Sequence, residues 1–426
     1  MKLMNNIKAF YKILFVIILV TSIFNNCVAQ KSLKIEDSVI LKFYEINKQK
    51  LYWFSSARNL GKAIEWVAMM EASKDLGFAS NIVQINKILN EYKNANKIDS
   101  IFIKETDIQI TAAVLNYLKV LHQGDVIFDY DEVNSINDTA YIYQLLSFRK
   151  RSSVSKIVKK LDCKDADYLI LKKFLTDSLS LNDTINYKTI LLAMNYRRYI
   201  NSTHQSEYIV VNIPATEAEY YKNNKLQLKM RTVVGKTKTP TPTIASYLNN
   251  IICFPSWNVP YSIAVKELLP KVQKNENYLE QNSIDVLDAK GNVVEESDLY
   301  WNSYTETNFP YYFRQSTGSH NALGVIKFDF QNPFSIFLHA TSWQGVFEKE
   351  NRFLSHGCIR LEKPFELANA ILNGELDIEE LKKGKENTKS RKIQLSKKIP
   401  VYIIYVPVKV TNGSVFFLED IYHLIK

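Results

Sequence analysis

The stretch that decides the fold is FLSHGCIRLEKPFELA, residues 353–368. In it, Cys358 stands directly after Gly357 and two residues after His356. A cysteine attacks a carbonyl carbon when a base lies within hydrogen-bond reach and backbone amides hold the oxyanion that forms. The stretch therefore predicts a thiol displayed on a turn, where Gly357 leaves room for a substrate carbonyl beside the backbone.

Upstream, the apolar run SIFL leads into His339, 19 residues before Cys358. A strand that ends at His339, followed by a loop and the cysteine turn, would bring imidazole and thiol together. Spacing alone leaves two other interpretations open. The cysteine and its neighbouring histidine are structural, or His320, His339, His356 and Cys358 bind zinc, although zinc ligands usually stand closer together along the chain.

Downstream, Pro364 suits the first turn of a helix and Gly374 its end, so PFELANAILN is predicted to be helical. We therefore expect the cysteine turn to open toward this helix. Amides of the turn before the helix are candidates for an oxyanion hole.

The N-terminus, MKLMNNIKAFYKILFVIILVTSIFNNCVAQ, predicts export. Lysines precede an apolar run from Ile13 to Phe24, and Cys27-Val28-Ala29 resembles a cleavage site, so residues 1–29 are predicted to be a cleaved signal peptide. The run is too short for a membrane span, and an uncleaved anchor and a lipid-modified Cys27 are the alternatives. We expect the mature protein in the periplasm.

Cysteine usage leaves an unpaired thiol in that oxidising compartment. The mature chain retains Cys163, Cys253 and Cys358, an odd number, so at least one stays free or pairs between chains. A Cys163 to Cys253 disulfide is one option, and buried free cysteines are the simpler interpretation. The net charge of +10 suits an anionic wall polymer, and without a nucleic-acid motif we expect no nucleic-acid partner.

The length of 426 residues suggests two or three domains, and the pattern changes near residue 200. After it come strand-like runs with turn signals at Asn223-Asn224 and Asn412-Gly413. We predict an α+β protein with a helical domain over residues 30–200 and a β-rich domain over 201–426. Before residue 200, apolar residues recur at helical spacing: Leu60, Ile64, Val67 and Met70 with a stop at Gly77, and Ile110, Val114, Tyr117, Leu118 and Leu121 with a stop at Gly124.

Two further segments stand out in the β-rich half. Residues 261–320 are long, aromatic and irregular, which is typical of a lid or binding loop. The basic stretch from Lys382 to Lys398 is interpreted as a solvated loop that protects a strand edge, with a polymer-binding patch as the alternative.

SHGCIRL resembles the active-site signature of L,D-transpeptidases with a YkuD-type catalytic domain, in which a catalytic histidine precedes a [Ser/Thr]-x-Gly-Cys turn. His339 and Cys358 match that signature. The resemblance implies a helical scaffold followed by a β-rich catalytic domain, with residues 261–320 as a capping (lid) subdomain. The stretches that are similar to the large YcbB-type branch of the family are YIVVNIPATEAEYY, MRTVVGKTKTPTP, SWNVPYSIAVKELLPKV, NALGVIKFDFQN and IYH.

The resemblance implies acyl transfer through a thioester, without a cofactor or a metal. Cys358 would attack the carbonyl between the diamino acid at position three and D-Ala at position four of a peptidoglycan stem tetrapeptide, with His339 as base and then acid. D-Ala leaves, and the side-chain amine of a neighbouring stem then attacks the thioester and forms a 3-3 cross-link. Carbapenems, which mimic the acyl donor, are the implied inhibitors.

The resemblance also implies roles around the nucleophile. Backbone amides at Gly357 and Cys358 would hold the oxyanion. Two departures are that His356 stands where some members have Ser, and that Ala340 stands where relatives commonly have Asp. A peptidoglycan-binding module is not apparent between residues 145 and 199. The candidate substrate-binding residues are His356, Arg360, Tyr304, Trp301 and Tyr312, with local backbone support as the alternative for Arg360 and ordinary packing for the three aromatic residues.

Competing functions use the same residues. Hydrolysis of the acyl-enzyme would make an L,D-carboxypeptidase, and transfer to a protein amine would attach a protein to the wall. An inactive wall-binding scaffold needs neither His339 nor Cys358, so the presence of both counts against it. An NlpC-type cysteine peptidase is disfavoured, because in that family the cysteine precedes the histidine along the chain.

Overall fold

The computed structural model describes residues 37–73, 99–133, 141–142, 145, 153–177, 184–383 and 388–425. The predicted signal peptide and the predicted helix stop at Gly77 lie outside these residues. Among the helices that are described, none is both long and apolar enough to cross a membrane.

The first part of the chain is helical, as predicted. The helix over Ser100–Gln123, α3, carries the predicted apolar face, and its five predicted core residues are all buried. In the helix over Ala57–Ala72, α2, Ile64 is 36% exposed, and Ala63 and Trp66 lie in the core beside Val67 instead. The helices are α1 (Asp37–Ile46), α2 (Ala57–Ala72), α3 (Ser100–Gln123), α4 (Val154–Leu161), α5 (Ala166–Asp177) and α6 (Thr184–Ser202).

Gly124 ends α3 at the place the sequence predicts. Its φ is +73°, and a Cβ atom there would lie 2.2 Å from the carbonyl oxygen of Asn195 in α6. A residue with a side chain would therefore push α3 away from α6. Helix α6 packs on the large sheet that forms the second part of the chain.

The second part of the chain is built around one sheet that closes on itself. The order of neighbours is β1-β5-β10-β11-β13-β4-β3-β2-β14, β12 pairs with β4, and β14 pairs with both β2 and β5. The strands are β1 (Tyr130–Asp131), β2 (Glu207–Asn212), β3 (Glu217–Lys222), β4 (Lys225–Gly235), β5 (Ile244–Cys253), β10 (Ile326–Phe330), β11 (Leu338–His339), β12 (Phe353–Ser355), β13 (Ile359–Leu361) and β14 (Arg391–Ile404).

Both faces of this sheet are covered, because successive side chains of a strand point to opposite faces. In β2, Ile209 and Val211 pack in the core that the sheet encloses, whereas Tyr208 and Val210 pack against α5 and α6. Helix α7 (Pro364–Ile371) contributes Leu367 to the enclosed core, and a short helix α8 (Ile378–Lys382) follows. The predicted helix after the cysteine is therefore confirmed.

Both predicted tight turns are present. Asn223 and Asn224 join β3 to β4 with φ values of 55° and 56°. Asn412 and Gly413 join β15 (Val408–Thr411) to β16 (Ser414–Phe417) with φ values of 52° and 76°. Positive φ at both central residues is the geometry that matches the twist of a two-residue hairpin.

The insertion over residues 261–320, which was predicted to be irregular, is a compact subdomain, and we call it the capping subdomain. A helical stretch over residues 261–274 contains a π turn at Ala264–Leu268, and a four-stranded sheet has the order β6-β9-β7-β8. Its own apolar core explains why the aromatic residues showed no simple periodicity, since they pack inward from short segments. Its strands and second helix are β6 (Trp257–Asn258), α9 (Tyr278–Gln281), β7 (Ile284–Leu287), β8 (Val293–Val294) and β9 (Tyr312–Gln315).

The basic stretch is partly a strand rather than a loop. Arg391–Gln394 pairs with β5, whereas β2 pairs with β14 only from Val401 onward. The lysines and the arginine of β14 therefore lie on a strand with one unpaired edge, which is the arrangement that discourages intermolecular strand pairing.

Candidate active site

Three neighbouring strands line up the candidate residues. Lys327 of β10 is the register partner of His339 of β11, which in turn is the partner of Arg360 of β13. The residues that alternate with them, Leu338 and Ile359, are fully buried in the enclosed core. Lys327, His339 and Arg360 therefore form a row on the opposite face of the sheet.

Cys358 ends the turn that leads into β13. It lies two residues before Arg360, and the charges of Arg360 and Lys327 both act on its thiol. The pairing of β11 with β13 sets His339 beside Arg360, two residues along the chain from Cys358. Cys358 precedes β13, and α7 begins only after that strand, so the cysteine turn does not lead directly into the helix. The predicted role of amides near the turn in holding an oxyanion stays a prediction.

Ser355 holds the turn in shape. Its hydroxyl donates to the Cys358 carbonyl oxygen at 2.6 Å and accepts from the Gly357 amide at 3.0 Å. Thr241 Oγ1 donates to the Gly357 carbonyl oxygen at 2.7 Å. Among the described residues, the amide of Cys358 has no hydrogen-bond acceptor, so it is the better donor for an oxyanion. The predicted contribution of the Gly357 amide stays a prediction.

Gly357 is required by the backbone conformation of the turn. Its φ is +117°, and a Cβ atom would lie 2.9 Å from Ile336 Cδ1, the movable end of a side chain. A side chain at this position would therefore strain the turn chiefly through its backbone.

The surroundings of the Cys358 thiol act on its pKa in opposite directions. Burial raises the pKa of the thiol, while the Phe337 amide and the charges of Lys327 and Arg360 act in the opposite direction. The thiol donates to the Ser335 carbonyl oxygen, with 3.6 Å between sulfur and oxygen. Activation therefore has to come from transfer of the proton when substrate is present.

His339 is a neutral base whose tautomer can be read from its contacts. Burial, followed by the charge of Arg360, lowers the pKa of His339 to about 3, although the carbonyls of Ala340 and Leu323 oppose this. Nδ1 lies 2.5 Å from the Ala340 carbonyl oxygen, which can only accept, so Nδ1 carries the proton. The lone pair is consequently on Nε2, where a base needs it.

Arg360 has the properties of an anion-binding group. Burial lowers the pKa of its guanidinium, and its Nε is buried without a hydrogen-bond partner among the described residues. The alternative that Arg360 supports local backbone is not seen, since none of the described hydrogen bonds involves its side chain. A buried guanidinium without an acceptor beside a thiol suits a substrate carboxylate.

His356 lies apart from His339. Its Nε2 is 2.5 Å from Glu267 Oε1 in the π turn of the capping subdomain. The structure therefore assigns His356 to a contact between the cysteine turn and the capping subdomain.

The aromatic candidates differ from one another. Trp301 is only 5% exposed and packs in the core of the capping subdomain, which agrees with the ordinary packing given as the alternative to substrate binding. Tyr304 packs edge-on against Trp301, with 6.3 Å between ring centroids, and Tyr312 is half exposed on β9. Their contact with substrate stays a prediction.

Neither a disulfide nor a metal cluster involves the cysteines that the structure describes. Cys163, Cys253 and Cys358 are all free. Cys163 and Cys253 are buried, as the simpler interpretation had it, and burial raises the pKa of Cys163 to about 12. Within the described ranges, no three His, Cys, Asp or Glu residues are grouped so that they could hold a metal ion.

Sequence reasoning missed four residues that shape this site. Lys327 could have been found, because the alternation in IKFDF predicts that it faces away from the core. Ser355 stood in the quoted turn without a role. Ser335 and Glu267 carry no local signal, since each meets the cysteine turn only through the tertiary fold.

Tyr422, in the C-terminal segment, supports the cysteine turn through neighbouring residues. Tyr422 donates to the Gly235 carbonyl oxygen at 2.6 Å and accepts from the Thr241 amide at 3.3 Å. Its ring stacks on Tyr405, with 5.3 Å between centroids. The chain end is thereby connected through Thr241 to Gly357.

Comparison with known proteins agrees with this geometry. A family model described as the L,D-transpeptidase catalytic domain matches residues 206–401, and one described as a scaffold domain matches residues 38–175. A predicted L,D-transpeptidase of Haemophilus influenzae is 36% identical over 240 residues, which cover 54% of this chain and 47% of that protein. The match thus spans about half the length of that relative.

Solved L,D-transpeptidase structures are similar to about half of this chain at low sequence identity. The catalytic domain of an Enterococcus faecium L,D-transpeptidase acylated by ertapenem is 17% identical, with 47% of this chain and 98% of that chain covered and a TM-score of 0.24. An L,D-transpeptidase from Mycobacterium smegmatis is 14% identical, with 47% and 58% covered and a TM-score of 0.24. At these TM-scores the structural likeness carries no argument of its own.

Proposed function

Because the chain carries an L,D-transpeptidase catalytic domain preceded by a scaffold domain, we propose that it forms 3-3 cross-links in peptidoglycan through a thioester on Cys358. The observation that carries the proposal is the row of Lys327, His339 and Arg360 on one face of the sheet, with the cysteine turn two residues from Arg360. This row supports the proposal because a neutral imidazole and a guanidinium lie side by side on the strands next to the cysteine turn.

In the first half-reaction, the thiol proton moves to Nε2 of His339 as sulfur attacks the carbonyl between the diamino acid and D-Ala. The amide of Cys358 stabilises the oxyanion. The carbon–nitrogen bond then breaks, the proton passes from His339 to the leaving amine, and D-Ala departs. The thioester remains on Cys358.

In the second half-reaction, the uncharged side-chain amine of another stem attacks the thioester. Its proton passes through His339 to the sulfur as the carbon–sulfur bond breaks, so the thiol is regenerated. Atoms balance without a cofactor. Arg360 is placed to bind the carboxylate of the donor peptide in the first step.

Hydrolysis is the main alternative fate of the thioester. The same residues would then act as an L,D-carboxypeptidase, and transfer to a protein amine would tether a protein to the wall. The capping subdomain favours the amine, because its contact with the cysteine turn limits access of water to the thioester.

The test is the muropeptide composition of cells that produce the wild type or Cys358→Ala. We expect 3-3 cross-linked dimers only with the wild type. Accumulation of tripeptides without dimers would instead identify the carboxypeptidase, and identical profiles would refute both.

Export completes the proposal. The apolar run that ends at Phe24 supports a cleaved signal peptide and a location in the periplasm, where the substrate is. N-terminal sequencing of the exported protein should begin at Gln30. A sequence that begins at Met1 would indicate a membrane-anchored enzyme.

A further inference from the structure

Glu267 and His356 join two parts of the molecule at the cysteine turn. His356 Nε2 lies 2.5 Å from Glu267 Oε1, although 89 positions separate the two residues in the chain. Their side chains are 34% and 43% exposed, so the pair faces solvent at the entrance of the site. Since His356 precedes Cys358 by two residues, it lies within about 7 Å of it along the backbone.

The local structure around Glu267 is unusual. Glu267 lies in the π turn of the helical stretch 261–274, and single π turns inside helices occur frequently at functional sites. Its second oxygen, Oε2, has no hydrogen-bond partner among the described residues. A carboxylate oxygen is therefore available beside the nucleophile turn.

The charges beside His339 are opposite in sign to that of Glu267. Lys327 and Arg360 are the register partners of His339, and the positive charge of each lowers the pKa of His339. Asp329 forms an ion pair with Lys327 at 3.0 Å and offsets that charge, whereas none of the described ion pairs involves Arg360. An incoming ammonium group is therefore repelled by Arg360 and attracted to Glu267.

From this arrangement, and resting on the function proposed above, we propose that Glu267 Oε2 binds the side-chain ammonium of the acceptor stem, and that His356 positions Glu267. Donor and acceptor are thus distinguished by charge: the carboxylate of the donor goes to Arg360 and the ammonium of the acceptor to Glu267. The ammonium releases its proton to solvent before attack, so the bound cation is the precursor of the nucleophile.

The test uses the full-length protein with a tetrapeptide donor and two nucleophiles. One is a stem tripeptide whose diamino acid carries an ammonium group, and the other is hydroxylamine, which is uncharged. Glu267→Gln keeps the shape and removes the charge, so the KM for the tripeptide should rise roughly two- to tenfold. Trapping of the thioester by hydroxylamine and release of D-Ala should stay at the wild-type rate.

His356→Ser should raise the same KM by a smaller factor, and His356→Gln should restore part of the difference, because an amide can still donate to Glu267. Glu276→Gln, an exposed substitution on the same subdomain, is the matched control and should change nothing.

An unchanged KM for the tripeptide in Glu267→Gln would overturn the proposal, as would an equal loss with hydroxylamine. A wild type that releases no D-Ala from the donor would instead refute the proposed function itself. The two failures are therefore distinguishable.

Discussion

At the scale of single residues, the site is a neutral pair rather than an ion pair. Burial raises the pKa of the Cys358 thiol and lowers the pKa of His339 to about 3. Both shifts favour the uncharged forms, because a charge in a buried site lacks solvation. A raised thiol pKa lowers the fraction of thiolate, so the proposed reaction requires transfer of the proton as sulfur attacks.

The assignment of the base predicts unequal effects of the two histidines. His339→Ala should lower the rate of D-Ala release by roughly 10²- to 10⁴-fold, since general-base catalysis is lost. His356→Ser should retain much of that rate, because His356 contacts Glu267 and not the thiol. D-Ala release by each purified variant, with circular dichroism to establish folding, is the measurement. Greater damage from His356→Ser would reverse the assignment.

The lowered pKa of His339 predicts an unusual pH dependence. Neutral imidazole persists down to about pH 3, so kcat/KM for D-Ala release should change little between pH 7 and pH 5. An unperturbed histidine, with a pKa of about 6.5, would lose most of its base form over that range. The unfolded chain binds the extra proton between these two pKa values, so His339 also makes folding less favourable as pH falls from about 6.5. A rate that halves near pH 6.5 would contradict the buried neutral base.

At the scale of elements, the pairing of β11 with β13 sets His339 opposite Arg360, two residues along the chain from Cys358. The turn before β13 is then held by side chains from elsewhere, with Ser355 inside it and Thr241 and Tyr422 behind it. Because Ser355 is buried, its two hydrogen bonds have no water to replace them.

Removing that hydroxyl tests how much the turn geometry matters. Ser355→Ala leaves the Gly357 amide and the Cys358 carbonyl without their partner, which costs about 1–3 kcal/mol for unsatisfied buried groups. We expect lower stability in thermal unfolding and at least tenfold slower thioester formation by intact-protein mass spectrometry. Ser355→Thr, which keeps the hydroxyl, is the matched control. Wild-type acylation by Ser355→Ala would show that the backbone alone holds the turn.

We expect the capping subdomain to influence whether the thioester reacts with an amine or with water. Its length, aromatic content and contact with the cysteine turn suggest that part of residues 261–320 covers the thioester. Shortening the exposed turn at 289–292, between β7 and β8, should raise the ratio of hydrolysis to cross-linking measured with a tetrapeptide donor. A control loop is the exposed turn at 223–224, whose substitution should leave the ratio unchanged. Lower overall activity at a constant ratio would indicate substrate binding alone.

At the scale of the whole molecule, the enclosed core and the packing of α5 and α6 on the sheet leave one of the three described thiols reachable. Cys163 lies between helices and Cys253 lies in the enclosed core, and burial raises the pKa of each. Among the cysteines that the structure describes, Cys358 alone is partly exposed.

Selective acylation by a carbapenem follows from this difference. Intact-protein mass spectrometry after treatment with meropenem should show one adduct, peptide mapping should place it on Cys358, and Cys358→Ala should carry none. The physical reason is that attack on the lactam carbonyl needs the same thiol, base and oxyanion donor as attack on the stem peptide. Labelling of Cys163 or Cys253, or a folded wild type without an adduct, would argue for an inactive wall-binding protein.

The sequence by itself determined the features that depend on neighbouring residues. Helical spacing located α3, paired turn residues located both hairpins, and the cysteine turn with His339 supplied the candidates for nucleophile and base. These signals are local, because helix ends, turns and strand alternation are set by residues a few positions apart.

Only the tertiary structure decided which distant groups meet. Strand register set Lys327 and Arg360 on either side of His339, and the docking of the capping subdomain brought Glu267 to His356. Burial also raises the pKa of the Cys358 thiol, since the solvation of Cys358 depends on everything packed around it. Such contacts join residues far apart in the chain, and no periodicity or motif records them.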